Sequence, residues 1–370
     1  MTAPAFRLGV HLGYWVGGND ADSLTLAPLA EELGYSVVWV SEAYGSDAVT
    51  PLTWIAARTS TIEVGSAVLQ IPARTPATTA MTAATLDTLS GGRLRLGLGV
   101  SGPQVSEGWH GVRFASPLGR TREYVDLVRR ALRREPLQAR GRHFTLPLPD
   151  GPGKALTLTI RPPREHIPLY LAALGPKNLE LAGEIADGWL PVFFHPEQAE
   201  QQLVPLRAGL ARSGRTLDGF DIAPTVALVP GPNWETCAKR VRGYAALYLG
   251  GMGGPDDNHY TRLAERMGFG TEAREVQRRF LSGDLPGAMA AVPLEFLDAT
   301  ALLGPVERIA ERMTAFAKAG VTTLNVMPVG PGLPPGTDRA ARALRTAAEA
   351  ARLAGLLADP HPTEEETDAP

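Results

Sequence analysis

His11, Glu42, Glu107, His110 and His195 are the residues of this chain best suited to acid–base or ligand chemistry, and no two of the histidines are neighbours in sequence. Glu42 and Glu107 near strand ends are the carboxylate pair a glycosidase would use as acid and nucleophile. The sequence around them lacks the dense Asp, Asn and Trp lining of a sugar site. His11, His110 and His195 would make a metal set, yet no His-x-His pair or close His/Asp cluster occurs, so no metal is expected. His11 alone reads either as a hydrogen-bonded core histidine or as a group facing a ligand. The lone Cys237 permits no intramolecular disulfide or thiolate cluster and falls in a helical stretch, which makes it structural. Leu174-Gly175-Pro176-Lys177-Asn178 offers a different chemistry. Glycine lets a backbone approach closely, proline opens a helix whose first N–H groups are free, and lysine adds a cation. That combination suits a phosphate. An ordinary Gly-Pro turn is the plain alternative.

These residues need a scaffold that gathers strand ends. Apolar, β-branched runs alternate with helical patterns, and the candidate strands are 7–14, 36–42, 62–70, 94–100, 168–174, 188–194, 220–229 and 322–328. Between them lie amphipathic helices. In GPVERIAERMTAFAKAG, Val306, Ile309, Met313 and Phe316 recur at helical spacing, Pro305 suits the first position and Gly320 the stop. Eight strands with intervening helices predict a (β/α)8 TIM barrel whose site lies at the C-terminal ends of the strands. One barrel domain is expected over residues 1–358, with insertions at about 136–167 and 234–304 and an acidic, disordered tail at 359–370. The first insertion is expected to cover the barrel mouth.

In this frame the mouth receives His11, Tyr14 and Trp15; Ser41 and Glu42; Ala67, Val68, Leu69 and Gln70, then Arg74. It also receives Val100, Ser101 and Gly102, then Glu107, Trp109 and His110; Leu174 to Asn178; and Phe193 and His195. Apolar walls, glycines and few polar groups suit a flat, partly apolar ring better than a sugar. RLRLGLGVSGPQVSEGWHG poses a separate question, because Gly97, Gly99 and Gly102 sit where a packed strand would want bulk.

The 370 residues are 44% hydrophobic and 20% charged, ample for a large core. A net charge of −3 gives no electrostatic case for nucleic acid or an anionic membrane. No secretory signal or apolar run of membrane-spanning length is read, and one cysteine is compatible with a reducing cytoplasm, so a cytoplasmic protein acting on a small molecule is expected.

The segment from VWVSEAYGSDAVTPLTW through LSGGRLRLGLGVSGPQVSEGWHG resembles the luciferase-like monooxygenase superfamily, and more narrowly its actinobacterial branch that uses the deazaflavin coenzyme F420. ALGPKNLELAGEIADGWLPVFF, YLGGMGG and LLGPVERIAERM continue the match, over roughly residues 6–328. The resemblance implies a ring at the barrel mouth, backed by a bulge in the third strand with a non-proline cis bond at Ala67–Val68. It implies cofactor contacts from His11, Glu42, Ala67, Val68, Leu69, Val100, Ser101, Gly102, Leu174, Gly175, Pro176, Lys177 and Asn178. The glycines of strand four would clear space for the barrel interior and for the ring above it. Glu42, Trp109 and His110 would lie beside ring or substrate, and His110 is the candidate proton donor because imidazole titrates near neutrality.

Sugar-phosphate and alcohol dehydrogenases of this superfamily carry an acid followed by His after strand two; here the pair is Glu42-Ala43. That favours hydride donation to an activated C=C or C=N bond over alcohol oxidation. The deazaflavin tail continues past its phosphate into a lactyl-oligoglutamate, and Arg74 and Lys177 are the cations expected at its exit. The alternatives are an FMN-dependent monooxygenase on the same fold and a cofactor-binding protein without turnover. A homodimer is expected through AVTPLTWIAARTS and TPATTAMTAATLDTLS, which carry many small residues and few charges.

Overall fold

The computed structural model describes residues 6–15, 20–254, 258–329 and 338–358; the tail expected at 359–370 lies outside them. Eight parallel strands form the barrel: β1 Arg7–His11, β2 Val37–Val40, β3 Glu63–Ser66, β4 Leu94–Gly99, β5 Leu169–Leu171, β6 Gly188–Trp189, β7 Thr225–Pro230 and β8 Thr323–Pro328. Seven fall inside the runs picked from sequence, and β7 runs one residue past its own, to Pro230. Neighbours pair in chain order from β1 to β6, β7 pairs β8, and β8 returns to β1. The ring closes through the start of the seventh strand: Asp221–Ile222 pairs with β6, and β7 begins three residues later. These strands are buried on both faces, which is why they read as nearly continuous apolar runs.

The outer layer is helical. Val306–Lys318 buries Ile309, Met313 and Phe316 against the sheet, with Pro305 at its N-cap and Gly320 at φ +91° past its end. The barrel interior is filled rather than hollow. Val37, Trp39, Tyr170, Leu190 and Ala223 pack together, the Trp39 and Tyr170 rings meet edge to face at 5.3 Å, and the Trp39 indole N–H donates to Asn325 Oδ1 at 2.8 Å.

Charge closes the N-terminal end of the barrel. Asp221 Oδ2 accepts from Arg7 at 2.7 Å and from Arg95 and the Tyr170 hydroxyl at 2.8 Å; its Oδ1 accepts from Thr322 at 2.5 Å and Thr323 at 2.8 Å. Arg95 also pairs with Glu63 at 2.5 Å. Burial alone would push the Asp221 carboxyl up, but Arg7 and Arg95 hold it below the ordinary aspartate value.

Of the two insertions, only the second follows the C-terminal end of a strand. Residues 136–167 leave the C-terminal end of the helix Pro117–Leu132, which runs antiparallel to the strands, so they emerge at the barrel's N-terminal end. Their hairpin, Ala139–Arg140 with Thr145–Leu146, rides on that helix through Glu123, which accepts from the N–H groups of Arg142, His143 and Phe144. Arg164 then grips the fully buried Asp87 at 2.7 Å and the Leu94 carbonyl at the start of β4. Residues 234–304 follow the C-terminal end of β7. They include the helices Trp234–Ala246, His259–Arg266 and Gly270–Leu281, and a short strand Ala301–Gly304 that pairs with β7. Phe193, Tyr244, Tyr248, Tyr260 and Phe296 form the aromatic centre of this cap.

Candidate active site at the barrel mouth

Strand three breaks at the mouth. β3 ends at Ser66, the Ala67–Val68 peptide bond is cis, and Leu69–Gln70 resumes pairing with β4. The strand-four glycines belong to this break. A Cβ on Gly97 would lie 1.9 Å from the Ser66 carbonyl oxygen, and one on Gly99 would lie 2.5 Å from Val68 Cγ2. Ser66 Oγ donates to the Gly97 carbonyl at 2.8 Å and accepts from its N–H at 2.9 Å. Gly97 and Gly99 therefore make room for the neighbouring strand and, at Gly97, for Leu190 of the barrel interior, so the part of the expectation that assigned the space to a ring is corrected.

His11 sits beneath the same break and is buried. Its Nδ1 accepts from the Gly13 N–H at 3.1 Å, so the neutral ring carries its proton on Nε2, which lies 3.2 Å from Ser41 Oγ. Burial lowers its pKa to about 4, against the opposing effect of a hydrogen bond to the Ala67 backbone. The imidazole is therefore neutral at pH 7 and ties β1 and β2 to the bulge.

Glu42 is the hub of a second network. Both Arg74 Nη atoms donate to its carboxylate, the Ala48 N–H donates at 3.0 Å, and the Gln70 N–H reaches it at 3.4 Å. Hydrogen bonding to Glu42 raises the Arg74 pKa. Arg74 is thus a partner of Glu42, with its side chain 17% exposed, and not the rim cation expected from sequence. The Gln70 side-chain amide donates to the Glu42 carbonyl at 3.0 Å, which turns its Oε1 toward His110 Nε2 at 2.9 Å. That contact makes His110 a donor through Nε2.

Beyond β4, Val100 is followed by Ser101 at φ +60° and by Gly102, the N-cap of the short helix Pro103–Gly108. Trp109 is 65% exposed, while His110 folds inward to Gln70. Glu107 accepts from the Phe114 N–H at 2.9 Å within its own loop. The carboxylate pair weighed for a glycosidase is thereby dissolved, since each partner is engaged elsewhere. Among the described residues no group of three His, Cys, Asp or Glu side chains is placed to hold a metal ion. Cys237 is buried in the helix Trp234–Ala246, and burial pushes its thiol pKa up.

After β5 the chain passes Leu174 and enters the helix Pro176–Ile185 with Gly175 at the N-cap and Pro176 first. Gly175 has φ −87°, and a Cβ there would meet nothing within 4 Å. The fold does not require glycine at this position, whereas a group approaching the helix N-terminus would. Asn178 reaches back to the Ala172 carbonyl at 3.5 Å. Beside this turn is an open recess of about 340 Å³, lined among others by Leu174, Pro176, His195, Gln202 and Arg266.

The closed parallel barrel is matched by known proteins. Residues 11–323 match the luciferase-like monooxygenase family. The chain belongs to that family. It is 42% identical over 327 residues, 86% of this chain and 94% of the relative, to a Mycobacterium tuberculosis protein provisionally named a coenzyme F420-dependent oxidoreductase. It is 30% identical over 310 residues, 82% of this chain and 88% of the relative, to a 5,10-methylenetetrahydromethanopterin reductase of Archaeoglobus fulgidus. The solved structure of the coenzyme F420 dependent tetrahydromethanopterin reductase from Methanopyrus kandleri shares the fold, with a TM-score of 0.79 at 24% identity over 93% of this chain and 98% of that one.

Within this luciferase-like barrel, the bulge at Ala67–Val68 lies where the sequence resemblance implies. Three functional candidates were missed from sequence. Gln70 was placed at a strand end but given no partner; a polar residue closing LQIP was the available signal. Gln202 and Arg266 come from a helix and an insertion with no periodic tie to the strands, so only the folded chain brings them to the strand-five turn.

Proposed function

We propose that this luciferase-like protein is a coenzyme F420-dependent oxidoreductase that reduces an activated C=C or C=N bond in a small organic substrate. The F420-dependent names among its relatives support the cofactor. The residues present fit such a group: the Gly175 position is open where a side chain would otherwise fill the space, and the helix it leads carries Lys177 in its first turn, which suits a phosphate. Ala67, Val68, Leu69, Val100, Ser101 and Gly102 would line the ring, with Leu174 to Asn178 at the phosphate, and His11 and Glu42 would act from beneath through the bulge and Gln70. When bound, coenzyme F420 supplies hydride at C5 and forms no oxygen adduct.

The observation that carries the direction of chemistry is Glu42. Its carboxylate is saturated by Arg74 and by backbone N–H groups, and Ala43 follows it where alcohol-oxidising members have histidine. No base is left at that position to take a hydroxyl proton. His110 is the remaining group suited to proton transfer. Its Nε2–H is committed to Gln70, which leaves Nδ1 as the ring atom through which it would act. Trp109, exposed at the rim, would cover substrate.

His110→Gln is expected to lower turnover by about 10²-fold or more while cofactor affinity stays within about twofold. A screen of reduced F420 against enones, imines and alcohols decides the substrate class. Turnover of alcohols alone would contradict the reading. The same reading takes residues 1–358 as one domain in a cytoplasmic homodimer. Trp54, Met81 and Leu89 lie exposed on the two helices expected at the interface. A monomer by light scattering at micromolar concentration would remove that part.

A further inference from the structure

We propose that the recess beside the strand-five turn is an anion subsite that takes a carboxylate on a short aliphatic stem, with Gln202 and Arg266 as its donors. The proposal rests on the oxidoreductase reading for the identity of the chain that carries the carboxylate. Gln202 is the starting observation. It is 7% exposed, it lines the recess, and its side-chain Nε2 is buried with no hydrogen-bond partner. A buried amide donor left unpaired loses its hydration and gains nothing in return unless a ligand supplies the acceptor.

The surroundings specify that acceptor. Arg266 stands at the rim and donates to the Leu174 carbonyl at 3.0 Å, a contact that uses one of its five N–H groups. Pro176 opens a ten-residue helix at the same edge, adding its positive end. The nearby acids are already engaged: Glu265 pairs with Arg274 at 2.6 Å, and Glu197 pairs with Arg312 and lies 3.1 Å from His195 Nδ1. His195 Nδ1 is itself buried without a hydrogen bond of good geometry. The unpaired Gln202 Nε2–H and the Arg266 guanidinium are donors at the recess with no acid left over beside them, which favours an anion. Leu174, Leu179, Leu263 and Met267 supply apolar wall. A carboxylate carried on methylene groups satisfies both the wall and the donors.

Two sources present that chemistry: the oligoglutamate tail of the cofactor and an acidic substrate. Arg266→Ala and Gln202→Leu separate them. The dissociation constant is measured for intact F420 and for its chromophore fragment lacking the phospholactyl-glutamate tail. KM is measured for an anionic substrate and an uncharged analogue. If the tail occupies the subsite, both variants bind intact F420 about tenfold more weakly and the fragment as before. If the substrate occupies it, F420 affinity holds and KM rises about tenfold for the anionic substrate alone. Arg266 is exposed, so its variant remains interpretable if Gln202→Leu fails to fold. Unchanged affinity and KM in the folded variants overturn the subsite. Should the wild-type chain bind no F420, the oxidoreductase reading fails, and glutarate alone then tests the recess by thermal shift. A shift lost in Arg266→Ala supports the subsite, and no shift in the wild type overturns it.

Discussion

At the N-terminal end of the barrel, Asp221, Arg95, Glu63, Arg7 and Tyr170 satisfy one another in the space between β1, β3, β4, β5 and β7. At the C-terminal end, Glu42 and Arg74 close a comparable pair, but the space beside Gly175 is open and the buried Gln202 Nε2 has no hydrogen-bond partner. Both ends contain buried charge. They differ in whether the charge is satisfied within the protein or leaves a position for something else. A floor built of mutually satisfied ions fixes the strands in register, and leaves the mouth free to carry groups whose partner is a ligand.

The largest effect should come from breaking the floor. Asp221→Ala leaves Arg95 and Arg7 facing each other without their carboxylate and should cost about 3–5 kcal/mol in denaturant unfolding. Cofactor affinity of the folded fraction should be unchanged; a loss below about 1 kcal/mol would show that the network is not holding the barrel. Acid should separate the two ends. His11 is protonated in the unfolded chain below 6.5 but in the folded chain only below about 4, so the unfolded state binds more protons between those values. Stability should therefore fall as pH drops from 6.5 to 4, by on the order of 3 kcal/mol, and His11→Gln should flatten that slope. The Asp221 carboxyl, held below its ordinary value of 3.8, should fail only at lower pH. Gly97→Ala forces a methyl onto the Ser66 carbonyl and should cost about 1–3 kcal/mol, because that glycine serves the bulge. Gly175→Ala should change stability by less than about 0.5 kcal/mol yet weaken cofactor binding, because that glycine serves a ligand. Equal stability losses at positions 97 and 175 would erase the distinction.

The eight strands were legible because each is a short apolar run bounded by turn residues, as in VVWV. The floor was not. RLRLGLG alternates Leu with Arg or Gly and marks no partner for its arginine, but in a closed barrel both faces are interior, and Arg95 is 6% exposed there. Its partner Asp221 is 126 residues away, beyond any local pattern. The strand Ala301–Gly304 was hidden within a segment of helical pattern, and only its pairing with β7 makes it a strand. At the mouth, residue types were readable and partners were not. Arg74 looked like a free cation until Glu42 claimed it, and the strand-four glycines looked like space for a ring until the neighbouring bulge filled it.

The most direct test of the account is a titration of the purified apoprotein with coenzyme F420 and with FMN at moderate salt, followed by reduction in the presence and absence of oxygen. Tighter binding of F420, with substrate-dependent oxidation of the reduced cofactor that oxygen leaves unchanged, is the predicted result. Tighter binding of FMN, with oxygen uptake on reduction, would contradict it and make the protein a monooxygenase on the same barrel.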